Sequence, residues 1–424
     1  MSYRYIIAFS LLLSVFLILD VYVWKALRQT IKKKHFRILK WLIPFSTFLF
    51  FLGFGLNIYR GYSGIVNASL FINLMFGTSL GFFIAKGVLV CFFLVEDGFR
   101  IFKFLIQRTK KKIHSNTTSS KVTFSNRRTA VRNIGLTIAS IPFASTLYGI
   151  TIGKYQFHVK RKTLYFNRLP TAFEGLKVVQ FSDFHAGSFD DHKAVERGLE
   201  LINEEQPDLV LFTGDLVNNR APEVLPYLDS LKKIQAPLGK FAILGNHDYG
   251  DYVKFDSEQE RTANLKALGQ HFENTGFQLL KNENSQLKRG KDSIYIAGVE
   301  NWGRGPFPQY GDIEEATKGI SSKAFTILMS HDPDHWEYVV REHPFFIDFT
   351  LSGHTHGGQF GVNIPNWKWS PVKYRYKRWL GYYQVNQKQL FVSKGFGFLG
   401  FPGRVGMTPE IVSFRLKRRP DKPL

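Results

Sequence analysis

Hydrophobic patterning changes texture near Tyr155. Upstream, long apolar runs alternate with basic clusters; downstream, apolar runs of four to six residues stop at glycine or a polar side chain. Residues 6–24, 42–58, 70–95 and 134–152 each approach the roughly 20 apolar positions that a membrane-crossing helix needs. Four transmembrane helices are therefore predicted within residues 1–154, the third carrying Lys86 and the fourth Pro142.

Residues 155–424 read as a second domain. The runs at 176–181, 209–212, 241–244, 294–297, 325–329 and 347–351 are rich in Val, Ile, Leu and Phe without polar alternation, the pattern of strands covered on both faces. Between them, Val195, Leu199 and Ile202 recur at helical spacing, and Leu265 with Leu268 marks a second helix near Gly269. From Ser370 onward Tyr, Phe and Gly predominate, as in strands joined by turns. The expected fold class is N-terminal all-α transmembrane helices followed by an α/β domain, layered as an α/β/β/α sandwich.

Charge refines this picture. A net charge of +22 invites a nucleic-acid reading, but Lys32–Lys34, Lys110–Lys112 and Arg127–Arg128 flank apolar runs, so juxtamembrane charge accounts for it and nucleic acid is not an expected partner. Lys and Arg are dense in residues 25–40 and 100–132, whereas 57–67 holds only Arg60. The positive-inside rule makes both dense loops cytoplasmic and sends the N-terminus and the second domain outside, a multi-pass protein of the cell membrane with its soluble domain on the periplasmic or extracellular side. Residues 125–131 place Arg127–Arg128 before an apolar segment, which resembles a twin-arginine export signal and makes that export machinery a candidate partner. The single cysteine, Cys91, excludes an intrachain disulfide.

The candidate chemistry lies at the ends of the short runs. Asp183-Phe184-His185, Gly214-Asp215, Gly245-Asn246-His247-Asp248, His331 and Gly353-His354-Thr355-His356 occur in that order. They supply two carboxylates, an amide oxygen and several imidazoles, the ligand set of a two-metal phosphoesterase. Hard anionic oxygens hold two cations close together, and imidazoles complete the shells without charge that would repel phosphate. Each motif alone is weak; five in order, each at a strand end, share one sheet edge where α/β folds place their sites.

These motifs resemble those of the calcineurin-like metallophosphoesterase superfamily, and Gly353-His354-Thr355-His356-Gly357-Gly358-Gln359 is similar to its membrane-associated bacterial YkuE-like branch. The resemblance spans residues 176–415. It implies that Asp183, His185 and His356 hold one metal, that Asp215 bridges, and that Asn246, His331 and His354 hold the second. His247 is implied to face the phosphate as general acid or charge stabiliser, with Asp248 orienting its ring and raising its pKa. Two divalent ions of manganese, iron or zinc are the implied cofactors.

Glu300, Asn301 and Arg304 follow a predicted strand at the same edge and are candidates for substrate contact. His192, His271, His335 and His343 fall outside the motifs and read as surface or structural. The stretch from Trp367 to Trp379 interleaves aromatics with Lys373, Arg375, Lys377 and Arg378, a composition suited to lipid headgroups. The expected function is a membrane-anchored, metal-dependent hydrolase of a phosphodiester or pyrophosphate, its partners the bilayer and a phosphorylated lipid, envelope or nucleotide substrate. A UDP-2,3-diacylglucosamine-type pyrophosphate hydrolase and a non-catalytic membrane receptor or scaffold on the same fold are the alternatives.

Overall fold

The computed structural model describes residues 3–29, 31–62, 69–113 and 125–420. Chain contacts divide them into two units, one of residues 1–58 and 71–148, the other of residues 59–70 and 149–424.

The first unit is helical: α1 (Tyr3–Arg28), α2 (Lys33–Tyr62), α3 (Leu70–Ile113) and α4 (Ser125–Thr151). All four are long and apolar enough to cross a membrane. α3 contains the third predicted span and continues past Val95 through a charged stretch to Ile113. Phe16, Val23, Phe93 and Ala139 are buried between the helices, while Trp41, Phe71 and Val95 are exposed, as expected where lipid replaces water. The side chains of Arg127 and Arg128 lie outside the described residues, so the export reading gains nothing here.

Lys86 is buried in this bundle, and its Nζ lies 2.6 Å from Asp20 Oδ1. Nζ also donates to Thr47 Oγ1 at 3.0 Å and Ser46 Oγ at 3.1 Å, and Thr47 donates to Asp20 Oδ2 at 2.7 Å. Three helices thus meet at one satisfied ion pair.

The second unit has two six-stranded sheets. The first contains β1 (His158–Phe166), β2 (Lys177–Phe181), β3 (Leu209–Phe212), β4 (Lys240–Ala242), β5 (Gln278–Leu279) and β14 (Glu410–Arg418), in the order β1-β14-β2-β3-β4-β5. The second contains β6 (Glu283–Arg289), β7 (Asp292–Gly298), β8 (Phe325–Met329), β9 (Phe349–Ser352), β12 (Gly381–Val385) and β13 (Lys388–Val392), in the order β12-β13-β9-β8-β7-β6. A separate hairpin pairs β10 (Val362–Ile364) with β11 (Trp367–Trp369).

Strands β2 to β5 run parallel, connected through α5 (His192–Glu204), α6 (Leu228–Lys232) and α7 (Glu258–Asn274) as successive crossovers. Asp191 and Ser257 cap α5 and α7 by accepting from the backbone N–H groups of Ala194 and Glu260. The expected second helix is α7, which carries Leu265, Leu268 and Gly269 and ends at Asn274.

The unbroken apolar runs follow from burial on both faces. Val178, Leu209, Leu211 and Phe241 pack with Ile294, Ile296, Ile327 and Phe349 between the sheets. Their neighbours Val179, Val210, Phe212 and Ala242 pack against Val195, Leu199, Leu268 and Phe272 of the helices. On the far side, Ala297, Leu328 and Val392 are covered by Ala316, Trp336 and Val340. Alternate residues therefore serve different layers, and this α/β/β/α order leaves the strand C-terminal ends open for a site.

Candidate metal centre

Each candidate ligand lies just beyond a strand end: Asp183 and His185 after β2, Asp215 after β3, Asn246 after β4, His331 after β8, and His354 and His356 after β9. Asp183, His185, Asp215, His354 and His356 have φ between 51° and 70°. Left-handed backbone at a non-glycine residue costs on the order of 1–3 kcal/mol, and its concentration at ligands marks a site whose geometry the fold imposes. Neighbouring glycines permit the crowding. A Cβ on Gly245 would sit 2.2 Å from Asp215 Oδ1, and one on Gly353 would sit 2.3 Å from Asp183 Oδ2.

Two groups of donors result, Asp183, His185 and His356 in one and Asp215, His331 and His354 in the other. His185 Nε2 lies 3.1 Å from His356 Nε2, which is 3.5 Å from Asp183 Oδ1. In the second group, His331 Nε2 is 3.2 Å from Asp215 Oδ2, and Asn246 Oδ1 joins by its 2.8 Å approach to His354 Nδ1. Asp215 Oδ2 also lies 3.4 Å from His185 Nε2, which sets this carboxylate between the groups.

The set fits divalent cations. Asp183 Oδ2 and His185 Nδ1 are buried without a hydrogen-bond partner, a costly arrangement unless something else engages them. His331 donates Nδ1–H to the Thr213 carbonyl at 2.7 Å, which fixes the ring and turns Nε2 toward Asp215 Oδ2. Carboxylate oxygens and imidazoles without thiolate complete a donor set of the kind such ions take.

Charge in the metal-free pocket is distributed accordingly. Burial works against a charged His331, yet Asp215 holds its pKa up at about 10. Burial would raise Asp215, but the imidazoles of His331, His247 and His185 hold it well below the usual carboxylate range. Those two residues form a buried ion pair. Burial raises Asp183 to about 6 and lowers His185 to about 3.

His247 reaches the centre differently. Its backbone N–H donates to Asp215 Oδ1 at 2.9 Å and its Nδ1–H donates to the Asn218 carbonyl at 2.8 Å. Its ring stands 5.2 Å from that of His185.

The expectation for Asp248 requires correction. Its carboxylate accepts from the backbone N–H groups of Asp215, Gly245, Leu216 and Val217 at 2.8–3.2 Å, and so clamps two ligand loops together. The Asn218 carbonyl, not Asp248, orients the His247 ring. Nor is that imidazole raised: burial lowers its pKa, against the opposing pull of Asp215 and Asn218.

Of the candidates for substrate contact, Asn301 is fully buried and donates its side-chain amide to Pro308 O, which ties it to its own loop. Glu300 accepts from Tyr249 and Asn282 at 3.2 and 3.3 Å. Arg304 is exposed, with its guanidinium 4.4 Å from the Tyr338 ring centroid. His192, His271, His335 and His343 belong to neither donor group.

Three further residues touch the ligands. Tyr376 OH lies 2.6 Å from His354 Nε2, Tyr252 OH accepts from Asn246 Nδ2 at 2.8 Å, and the buried Asp332 places Oδ2 3.5 Å from His354 Nε2. Adjacency to His331 and to the Gly245–Asp248 motif is a sequence signal for Asp332 and Tyr252. Nothing comparable singles out Tyr376.

Comparison with known proteins agrees with this geometry. Residues 3–154 match the family described as "Probable Calcineurin-like phosphoesterase, transmembrane domain", and residues 176–358 match "Calcineurin-like phosphoesterase". The chain is 31% identical over 278 residues to "Uncharacterized metallophosphoesterase YkuE" of Bacillus subtilis, covering 64% of this chain and 89% of that one. It is 29% identical over 269 residues to an "Uncharacterized metallophosphoesterase" of Aquifex aeolicus, covering 62% and 93%. A "Transmembrane protein with metallophosphoesterase domain" of Danio rerio is 28% identical over 259 residues, covering 59% of this chain and 55% of that one. With the ligand groups, the strand-end placement and four membrane-crossing helices preceding them, the chain belongs to the calcineurin-like metallophosphoesterase family.

Proposed function

We propose that the protein is a dinuclear metal-dependent phosphoesterase, hydrolysing a phosphodiester or pyrophosphate bond in a lipid or envelope substrate on the outer side of the membrane. The observation that carries the reading is the position of Asp215 between two Asp/His groups, within hydrogen-bonding reach of an imidazole from each. Asp183, His185 and His356 would hold one cation, Asn246, His331 and His354 the other, and Asp215 both. Two divalent ions of the manganese, iron or zinc class neutralise phosphoryl charge and make water nucleophilic near neutral pH.

The protein's own groups do the rest. Asp248 keeps the Asp215 and Gly245 loops in register through four backbone amides, so the ligands are preorganised. His247 is held through Nδ1–H by the Asn218 carbonyl, which leaves Nε2 free to act on the phosphoryl group; since burial lowers its pKa, any proton Nε2 passes to the departing ester oxygen must first be taken up there. The outward orientation rests on the excess of Lys and Arg in residues 25–40 and 100–132. A lipid or envelope substrate is supported by the membrane-crossing helices on the same chain.

The test uses the purified full chain, stripped of metal and reloaded with manganese, iron or zinc, and assayed on bis-p-nitrophenyl phosphate. Metal-dependent turnover that disappears in Asp215→Asn is the expected result. A folded wild-type protein that binds two ions yet turns over neither this ester nor a lipid pyrophosphate would refute the proposal.

A further inference from the structure

Between Asp348 and Glu410 the chain contains no Asp or Glu, while Lys368, Lys373, Arg375, Lys377 and Arg378 crowd into eleven positions. Glu337 alone pairs with Lys377, Arg378 and Arg341, at 2.5, 2.9 and 3.1 Å, and Asp334 pairs with Arg375 at 3.0 Å. Among the described residues Lys368 and Lys373 have no carboxylate partner. Cations therefore outnumber their carboxylate partners along the whole stretch, including the end beside β11.

The same stretch exposes large apolar groups. β10 and β11 pair only with each other, setting Ile364 opposite Trp367. Ile364 is 51% exposed, Trp367 57% and Tyr374 76%. The Trp369 indole nitrogen comes within 3.5 Å of Tyr374 OH, and Lys373 lies 5.3 Å from the Tyr374 ring centroid. Exposed Trp and Tyr interleaved with Lys and Arg match the headgroup layer, where amphipathic rings settle and cations meet lipid phosphate. Because the chain carries its own membrane-crossing helices, the bilayer is tethered to this surface, and a contact too weak to recruit a free protein is enough.

The segment is also continuous with the metal centre. Two residues past Tyr374, Tyr376 meets His354 at 2.6 Å, and Arg375 donates to the Arg304 carbonyl at 3.0 Å. Phe307, in the loop that carries Arg304, places its ring 5.0 Å from that of His354.

We propose that residues 362–379 form a headgroup-level contact that seats the catalytic unit on an anionic lipid surface, so that a lipid phosphoester reaches the metal centre without leaving the bilayer. The contact stands on its own geometry; its use in substrate delivery rests on the phosphoesterase reading above.

Because Cys91 is the only cysteine, a Cys91→Ser background accepts one nitroxide label at a time. Labels at Trp367→Cys, Tyr374→Cys and the control Leu225→Cys, itself 52% exposed, are compared in full-length protein reconstituted into nanodiscs of phosphatidylcholine with or without phosphatidylglycerol. The expected result is higher collision with oxygen than with a water-soluble nickel chelate at 367 and 374, strongest with phosphatidylglycerol, and the reverse at 225. Water-like accessibility at 367 and 374 in both discs overturns the contact. Equal immersion in both discs overturns its anionic character, and immobilisation already present in detergent assigns the face to a second copy of the chain.

For delivery, a Trp367→Ala/Tyr374→Ala variant is expected to lose about tenfold in turnover of a p-nitrophenyl diester held in vesicles, with bis-p-nitrophenyl phosphate turnover unchanged. Equal loss on both substrates overturns delivery. A wild type inactive on either ester removes the phosphoesterase reading, while the label accessibilities still decide the contact.

Discussion

In the helical unit, Lys86 is ringed by Asp20, Ser46 and Thr47, and Thr47 closes the circuit onto the second Asp20 oxygen. In the catalytic unit, Asp183 Oδ2 and His185 Nδ1 are just as buried and have no hydrogen-bond partner, and five ligand residues adopt left-handed backbone. Both clusters combine carboxylates with nitrogen bases in a low-dielectric setting, but only the first is complete. A charge in a membrane helix is a functional candidate by default, yet a fully partnered one fastens helices together. A buried pocket whose lone pairs converge unpaired is what chemistry requires. Satisfaction of partners, more than burial or charge, separates the two.

Breaking the incomplete cluster should have the largest effect. Asp215→Asn removes the carboxylate that serves both groups, and turnover of bis-p-nitrophenyl phosphate is expected to fall to background with loss of bound metal, read by elemental analysis. His247→Ala should cost about 10²–10⁴-fold in turnover while leaving metal content intact, because its ring acts on the phosphoryl group and supplies no ligand. Equal metal loss in the two variants would erase that distinction. In the complete cluster, Lys86→Met strands Asp20 and is expected to cost about 3 kcal/mol in detergent unfolding, whereas Lys86→Met/Asp20→Leu recovers most of it. Activity per folded molecule should not change in either, and a selective loss of activity would make the pair more than a fastener.

The smallest expected effect concerns protons. In the metal-free pocket His331 is protonated, its pKa held at about 10 by Asp215, and that proton must leave before Nε2 can bind a cation. Metal affinity should therefore rise with pH across the neutral range, by at most about tenfold per unit for this one proton. Calorimetry in buffers of different ionisation enthalpy measures the release. Affinity independent of pH from 6 to 8 would mean that the pair is not ionised.

Much of this organisation was legible in sequence because the decisive signals are local. Spanning helices are marked by length, and the ligands were visible because each terminates an apolar run such as 209–212 or 325–329, buried on both faces. β1 and β6 carry His158, Lys160, Arg161 and Lys162, and Glu283, Gln286 and Lys288, so these sheet-edge strands have no apolar run to betray them. The work of Asp248 was misread for a deeper reason: its partners are backbone amides from a loop more than thirty positions upstream, and backbone leaves no letter in a sequence. The tie of Asn301 to Pro308 was hidden likewise, since position after a strand does not reveal which way a side chain turns.

The clamp formed by Asp248 separates two fates that a family of such proteins can meet. Because it fastens the Asp215 and Gly245 loops through main-chain groups, its grip does not depend on which side chains those loops display. A descendant that exchanges His331 or His354 for inert residues loses hydrolysis but inherits the scaffold, free to be selected for recognition alone. One that loses Asp248 forfeits the scaffold itself. Retention of this aspartate in the absence of the histidines is thus the signature by which a retired enzyme would differ from a decaying one.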